Sequence, residues 1–220
     1  MTCFLSRNGD KTLPGKGFVM PSHLPENIKT LETHLPIWDR FFTVAPLVLI
    51  GTKEEDEYDL APKHLVTPMG WDNYFGFVCA PRHRTYQNIV RERAFTVSYP
   101  RPTQLVLTSL AAAPRCEDDA KPSLLALPTF PATKVDGVFV SDAYLFFECE
   151  LHQIIDGFGV NSLITGRIIA AHANEAVLRT SDRDDQDVLQ NAPLLAYVSP
   201  GRIAQIQNTF SFPFPLDFSR

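Results

Sequence analysis

The sequence predicts a mainly β fold, a largely antiparallel barrel with a few short helices. Six or seven short apolar segments have the length of strands, and turn-forming residues separate most of them. Eighteen prolines against eleven glycines support this prediction, because proline interrupts both helix interiors and sheet ladders. Long helices that alternate regularly with strands, as in a doubly wound sheet, do not occur in the pattern.

The predicted elements follow one another in a simple order. Glycine and proline dominate residues 1–35, which indicates an extended N-terminal arm with a short helix near residues 26–32. A second short helix is predicted from Ile37, and further helices over residues 85–92 and from Ser181 or Asp182. Five apolar runs are predicted strands: residues 47–52, 75–79, 95–99, 163–171 and 194–198. Short helical and proline-rich pieces over residues 108–134 indicate an insertion over the core.

The clearest alternation lies in residues 143–152. Apolar side chains occupy every second position from Ala143 to Leu151, whereas Glu148 and Glu150 fall on the opposite face. This period of two predicts a long, half-buried strand. The two glutamates are therefore interpreted as its solvent side and not as a catalytic carboxylate pair.

Composition and charge exclude several classes of function. The net charge is −5, whereas a nucleic-acid-binding protein usually carries a basic excess. The four cysteines are scattered without a Cys-x-x-Cys pair, which argues against a metal site or a disulfide framework. The sequence shows no signal-peptide pattern and no apolar run of membrane length, so we expect a cytoplasmic protein without a membrane partner. Dinucleotide-fold, phosphate-loop, serine hydrolase and zinc protease motifs are also missing from the sequence, so a bound cofactor is expected to supply the chemistry.

Two segments carry the candidate site. Residues 59–68 are interpreted as a polar loop before an apolar strand, and Arg82, His83, Arg84 and Thr85 follow that strand directly before a predicted helix. A helix start leaves backbone N–H groups unpaired and carries partial positive charge, so a phosphate is favoured there. Thr85 is the predicted N-cap. The alternative is a solvated turn with two surface arginines, which composition alone favours.

In this order the segments resemble the flavin reductase-like family, which binds FMN on a split β-barrel. The resemblance extends over residues 38–214 and rests on five stretches: residues 60–67, 83–97, 147–151, 156–168 and 193–202. It divides the chain into the arm at residues 1–35, a flavin reductase-like FMN-binding split-barrel domain at residues 36–215 and a C-terminal tail at residues 216–220. The phenylalanine-rich residues 210–218 are predicted to pack on the barrel or on a partner subunit.

The resemblance implies a homodimer with FMN, rather than FAD, at or near the subunit interface. NAD(P)H is the implied co-substrate and a flavin-dependent monooxygenase the implied partner. One set of implied cofactor contacts follows the flavin ring and ribityl chain: Leu60, Ala61, Pro62, Lys63, His64, Leu65 and Thr67. The other set surrounds the phosphate: Arg82, His83, Arg84, Thr85 and Asn88.

Two departures from the family pattern concern the reaction. Asn161 stands where many members carry a histidine beside the nicotinamide, and asparagine forms hydrogen bonds but does not titrate. His64 replaces a serine, and we hypothesise that it donates towards flavin N5 or O4. Two functions therefore remain open, an NAD(P)H-dependent FMN oxidoreductase and an FMN-binding electron carrier without an efficient nicotinamide site. A haem- or nucleotide-binding module is a weaker third reading, because no axial-ligand pattern is present.

Overall fold

The computed structural model describes residues 24–117 and 119–215. Its contacts separate a first unit ending at Ile37 from a second unit beginning at Trp38. The described part of the first unit contains turns only, such as the one in which the Ile28 N–H donates to the Pro25 carbonyl at 2.9 Å. The helices predicted near residues 26–32 and from Ile37 are therefore wrong. Both segments are too short to form isolated helices without packing.

The second unit is mainly β, with twelve strands among its described residues. They are β1 Thr43–Pro46, β2 Val48–Glu54, β3 Glu57–Lys63, β4 Val66–Pro68, β5 Tyr74–Cys79, β6 Ala94–Tyr99, β7 Thr129–Pro131, β8 Val138–Val140, β9 Leu145–Phe158, β10 Asn161–Ala173, β11 Leu194–Ser199 and β12 Arg202–Ile206. The α-helices are α1 Arg84–Glu92, α2 Leu105–Leu110 and α3 Asp185–Asn191, and short 3₁₀ turns lie at Pro102–Gln104, Pro122–Ala126 and Glu175–Val177.

All strand pairs are antiparallel, and seven strands form one curled sheet in the order β3-β2-β6-β9-β10-β5-β4. Smaller sheets, β1-β11-β12 and β7-β8, complete the described fold. The predicted fold class, a mainly β split barrel with a few short helices, is confirmed. The order brings the end of β3 and the start of α1 into contact, and these elements form the site described below.

Aromatic side chains fill the interior of the large sheet. Phe75, Phe77 and Phe95 are each at most 1% exposed, and Phe77 and Phe95 meet edge to face at 5.4 Å between ring centroids. Gly166 on β10 is required there, because a Cβ atom at this position would lie 2.5 Å from the Phe95 ring. The predicted strands at residues 47–52, 75–79, 95–99, 163–171 and 194–198 lie within observed strands, except that the first of them begins at Val48 and not at Leu47.

Several local predictions need correction. Residues 59–68, interpreted as a polar loop, belong mostly to β3 and β4, because β3 pairs with β2 along its whole length. The β7–β8 hairpin was not predicted, since prolines interrupt the pattern that would indicate it. The third helix is capped by Asp184, whose carboxylate accepts the Gln186 N–H at 2.8 Å, and not by Ser181 or Asp182.

Glu148 on β9 is the largest correction to the predicted sheet. It was interpreted as solvent-facing, but its side chain is 0% exposed. The loop between β7 and β8 covers this face and directs the Thr133, Lys134 and Val135 N–H groups at the carboxylate, at 2.5–3.1 Å. Glu150, two residues along the same strand, is exposed as expected.

The phenylalanine-rich tail does not pack on the barrel in the described part of the chain. Phe210 is 99% exposed and Phe212 is 70% exposed. The Phe212 and Phe214 rings contact each other at 4.5 Å between centroids. Residues 216–218 of the predicted packing segment lie outside the described residues. Packing of this tail on a partner subunit stays a prediction.

Candidate functional site

A cleft of about 810 Å³ lies where the end of β3 meets the start of α1. Three stretches line it: Asp59 and residues 61–63 of β3, the loop and helix start from Arg82 to Gln87, and residues 111–115, 119 and 121, which we call the cleft wall. The first two stretches are the segments that the sequence singled out, and the structure brings them together. The cleft wall was missed, because it follows a short helix and carries no recognisable motif.

Helix α1 begins at the cleft with free backbone donors. The Tyr86 and Gln87 N–H groups donate to the His83 carbonyl at 3.0 and 3.2 Å. Within the described residues, the N–H groups of Arg84 and Thr85 have no hydrogen-bond partner. These unpaired donors and the partial positive charge of the helix end favour an anion.

Thr85 is not the helix cap that the sequence predicted. The N-cap is His83, which makes no side-chain capping bond, and Thr85 lies inside the first turn with 2% of its surface exposed. Thr85 lines the cleft. Because it lies in the first turn of α1, beside the unpaired N–H groups, its hydroxyl is a candidate ligand donor.

The cleft is strongly cationic although the chain as a whole is acidic. Its lining contains Lys63, Arg82, Arg84, Arg115 and Lys121 against the carboxylates of Asp59 and Asp119. The net charge of the full chain is −5. Concentration of positive charge in one concave region raises the local concentration of anionic ligands.

The cleft wall is held to the sheet through Asp59, which is only 3% exposed. Arg115 Nη2 lies 3.1 Å from Asp59 Oδ1 and 2.6 Å from Glu54 Oε2. Lys121 Nζ donates to Asp59 Oδ1 at 3.3 Å and to the Leu60 carbonyl at 2.9 Å. Burial lowers the pKa of Lys121, and Asp59 offsets only part of that effect.

The remaining cations of the cleft differ in their partners. Arg84 is paired with Asp119 and lies 3.7 Å from Glu54 Oε1. Lys63 and Arg82 form no ion pair with any carboxylate in residues 24–117 or 119–215. Burial, followed by the charges of Lys63 and Arg82, lowers the pKa of His83, which favours its neutral form. Lys63 and Arg82 are therefore the cations most accessible to a ligand phosphate.

Three of the predicted contacts with the flavin ring and ribityl chain, His64, Leu65 and Thr67, lie outside the cleft lining. The His64 ring stacks on Tyr197 at 4.3 Å between centroids, and burial and Lys63 lower its pKa. Leu65 is 55% exposed, and the Thr67 hydroxyl donates to the neighbouring Pro68 carbonyl at 3.1 Å. Ala61, Pro62 and Lys63 do line the cleft.

Leu60, Asn88 and Asn161 also lie outside the cleft lining. Leu60 is 3% exposed and packs in a core cluster. Asn88 is 1% exposed and donates to the Thr52 hydroxyl at 3.1 Å, so it ties α1 to β2. Asn161 is the first residue of β10 and is half-buried, one position before Ser162, which pairs with Cys79. The roles of Leu60 and Asn88 as cofactor contacts and of Asn161 as a catalytic residue stay predictions.

Among the described residues, no group of three histidine, cysteine or acidic side chains is arranged to hold a metal ion. The same residues include no helix long and apolar enough to cross a membrane.

Comparisons with known proteins agree with this architecture. A model of the flavin reductase like domain family matches residues 41–199. Flavoredoxin from Methanosarcina acetivorans superposes with a TM-score of 0.69 at 18% identity, over 87% of this chain and 97% of that one. Nitrilotriacetate monooxygenase component B from Bacillus cereus gives 0.68 at 15% identity, over 88% and 99%.

A third similar structure is an FMN-binding protein from Thermus thermophilus with bound 1-cyclohex-2-enone. Its TM-score is 0.67 at 20% identity, over 84% of this chain and 98% of that one. A search of curated proteins finds no match to this chain. The family model covers most of the sequence, and the chain belongs to the flavin reductase like domain family.

Proposed function

We propose that the protein is an FMN-binding oxidoreductase that holds the FMN phosphate at the start of α1 and accepts electrons from NAD(P)H. The observation that carries the proposal is the pair of free N–H groups of Arg84 and Thr85 at a helix start that lines a cationic cleft. These donors face a cleft in which cations outnumber carboxylates. The family assignment supports a flavin ligand, and these donors support a flavin that carries a phosphate, for which we propose FMN.

The residues present fit a phosphate monoester, which carries about two negative charges and accepts several hydrogen bonds. Thr85 would donate through its hydroxyl and backbone N–H, while Lys63 and Arg82 would neutralise the charge. The Ala61 and Pro62 backbone lines the adjacent surface of the cleft and would run beside the rest of the ligand. Bound FMN would supply the electron-transfer chemistry, and the residues of the chain bind and orient it.

His64 is the proposed hydrogen-bond donor to the flavin ring. Its stacking on Tyr197 restricts the imidazole, and its lowered pKa keeps the ring neutral at pH 7, so that one nitrogen carries a proton to donate. A His64→Ala variant should shift the reduction potential of the bound flavin. An unchanged potential together with unchanged FMN affinity would refute this role.

A second candidate function is an FMN-binding electron carrier without an efficient nicotinamide site. Asn161 favours it, because an amide that does not titrate stands at the position of the family's histidine, outside the lining of the cleft. The two functions share the flavin and differ in the electron donor.

The deciding experiment follows the colour of the purified protein. Loaded with FMN, it should show bound flavin absorption, and anaerobic mixing with NADH or NADPH in a stopped-flow instrument should bleach that absorption within seconds. Bleaching by a chemical reductant but by neither nicotinamide would support the carrier. Protein that takes up no FMN would contradict both functions.

We further propose that residues 36–215 form the FMN-binding domain of a cytoplasmic homodimer. Large apolar side chains support a partner surface, since Trp71, Val160 and Phe210 are 88%, 73% and 99% exposed. Light scattering should give the mass of a dimer, and a chain truncated before Phe210 should dimerise more weakly.

A flavin-dependent monooxygenase is the proposed partner, because two similar structures are named nitrilotriacetate monooxygenase component B.

A further inference from the structure

Arg84 and Arg82 differ in their electrostatic environment although they lie only two positions apart in the sequence. The Arg84 guanidinium is paired with Asp119 and lies near Glu54, whereas Arg82 has no carboxylate partner among the described residues. Both arginines line the cleft at the start of α1. A phosphate bound there therefore meets one arginine that is available and one that a carboxylate already occupies.

Two backbone contacts hold Asp119 in the cleft wall, while its carboxylate pairs with Arg84 and lies 3.9 Å from Arg115 Nη1. Its N–H donates to the Cys116 carbonyl at 3.0 Å, and its own carbonyl accepts from Arg115 Nη1 at 2.7 Å. Asp119 adopts a φ of 66°, a left-handed conformation that aspartate and asparagine tolerate better than most residues. Replacement by asparagine therefore removes the negative charge and retains the backbone anchors.

We propose that Asp119 is a specificity-determining residue of the phosphate subsite, whose carboxylate competes with the phosphate of the ligand for Arg84. This inference rests on the proposed function. A phosphate gains the Arg84 contact only by displacing Asp119, so part of its binding free energy is spent on breaking an existing ion pair. Asp119 thus weakens FMN binding, narrows the discrimination between FMN and riboflavin, which lacks the phosphate, and favours exchange of flavin with solution.

The expected effect is modest, because the Arg84 and Asp119 side chains are 47% and 48% exposed and solvent screens their attraction. Asp119→Asn should tighten FMN binding by about two- to fivefold, the range expected for a surface ion pair. The FMN dissociation rate should fall by a similar factor. Riboflavin affinity should not change.

The test is a fluorescence titration of the full chain with FMN and with riboflavin, together with stopped-flow measurement of FMN release. Glu117→Gln is the matched control, because Glu117 lies two positions from Asp119 but outside the cleft lining, is exposed and has no ion pair among the described residues. It should leave the affinities for both flavins unchanged. Arg84→Gln should weaken FMN binding, and adding Asp119→Asn to it should have no further effect, since the competition then has no target.

Two outcomes would overturn the inference alone. In one, Asp119→Asn leaves FMN affinity unchanged or weakens it while the wild type binds FMN more tightly than riboflavin. In the other, Asp119→Asn tightens FMN equally in the presence and absence of Arg84. A wild type that binds no flavin, or binds FMN no more tightly than riboflavin, would overturn the phosphate subsite of the proposed function and this inference with it.

Discussion

Glu148 and Asp59 are both buried carboxylates, but their surroundings differ in kind. Glu148 is 0% exposed and receives three backbone N–H groups, the Thr133 hydroxyl at 2.7 Å and His172 Nε2 at 3.2 Å. Asp59 is 3% exposed and is bound by the cationic ends of Arg115 and Lys121. Fixed backbone donors surround one carboxylate, and flexible cations that also line a cleft surround the other.

This difference separates a carboxylate that holds the fold from one that lines the candidate site. Burial alone would raise the pKa of Glu148, but the hydrogen bonds from Thr133, Lys134 and His172 outweigh burial and lower its pKa to about 2. The carboxylate therefore stays ionised and holds the β7–β8 loop against β9. The cations around Asp59 also line the cleft, where we propose that a ligand anion competes for them.

The largest expected effect is on stability at Glu148. Glu148→Ala removes the acceptor of three backbone N–H groups from a fully buried position and should lower the free energy of unfolding by about 3–5 kcal/mol. Glu150→Ala is the matched control, because Glu150 lies on the same strand, is exposed and forms one surface ion pair with Arg167. Its cost should stay within about 0.5 kcal/mol. Equal losses for the two variants in urea denaturation would contradict the structural role of Glu148.

The pH dependence of the unfolding free energy should also show that ionised Glu148 stabilises the fold. The folded-state pKa of Glu148, about 2, lies below the ordinary value of 4.5, so its ionised form stabilises the fold. This stabilisation is complete above about pH 4.5 and is lost as the pH falls towards 2. The difference in unfolding free energy between the wild type and Glu148→Gln should therefore shrink over that window. A difference that stays constant would show that the charge contributes nothing.

Asp59 should behave differently. Asp59→Asn should cost only about 1–2 kcal/mol, because Arg115 keeps Glu54 as a partner and solvent reaches the cleft. Inorganic phosphate should restore about 0.5–1 kcal/mol more stability to this variant than to Glu148→Ala, since an anion enters among the freed cations by mass action. Thermal unfolding with and without phosphate measures this effect. An equal gain in stability from phosphate in Asp59→Asn and Glu148→Ala would contradict the claim that only the cations around Asp59 are open to an anion.

The sequence predicted the sheet better than the site. Strong apolar runs such as residues 75–79 and 95–99 identified their strands, because each packs an aromatic face into one core. Glu148 could not be interpreted correctly, since the period of two shows which face a residue takes and not what covers that face. The covering loop belongs to the β7–β8 hairpin, in which prolines interrupt the pattern that would predict strands.

The site was predicted in part. Residues 61–63 and 82–85 were selected from helix-start chemistry and family resemblance, and both line the cleft. The cleft wall escaped because Arg115 and Lys121 reach Asp59 from more than fifty positions away, a tertiary contact that no local spacing encodes. The N-cap was placed at Thr85 instead of His83, because a favoured capping side chain is a weaker determinant than the turn that precedes α1.

The central claim is that the start of α1 binds the phosphate of a flavin, and calorimetric titration of FMN and riboflavin tests it most directly. The wild type should bind FMN at least tenfold more tightly than riboflavin, since the phosphate adds charge-assisted hydrogen bonds worth about 1.5–3 kcal/mol each. Arg82→Gln and Thr85→Val should each reduce that ratio by about five- to tenfold. Arg93→Gln, which removes an exposed charge at the other end of α1, should leave it unchanged. Equal affinities for the two flavins in the wild type would contradict the account.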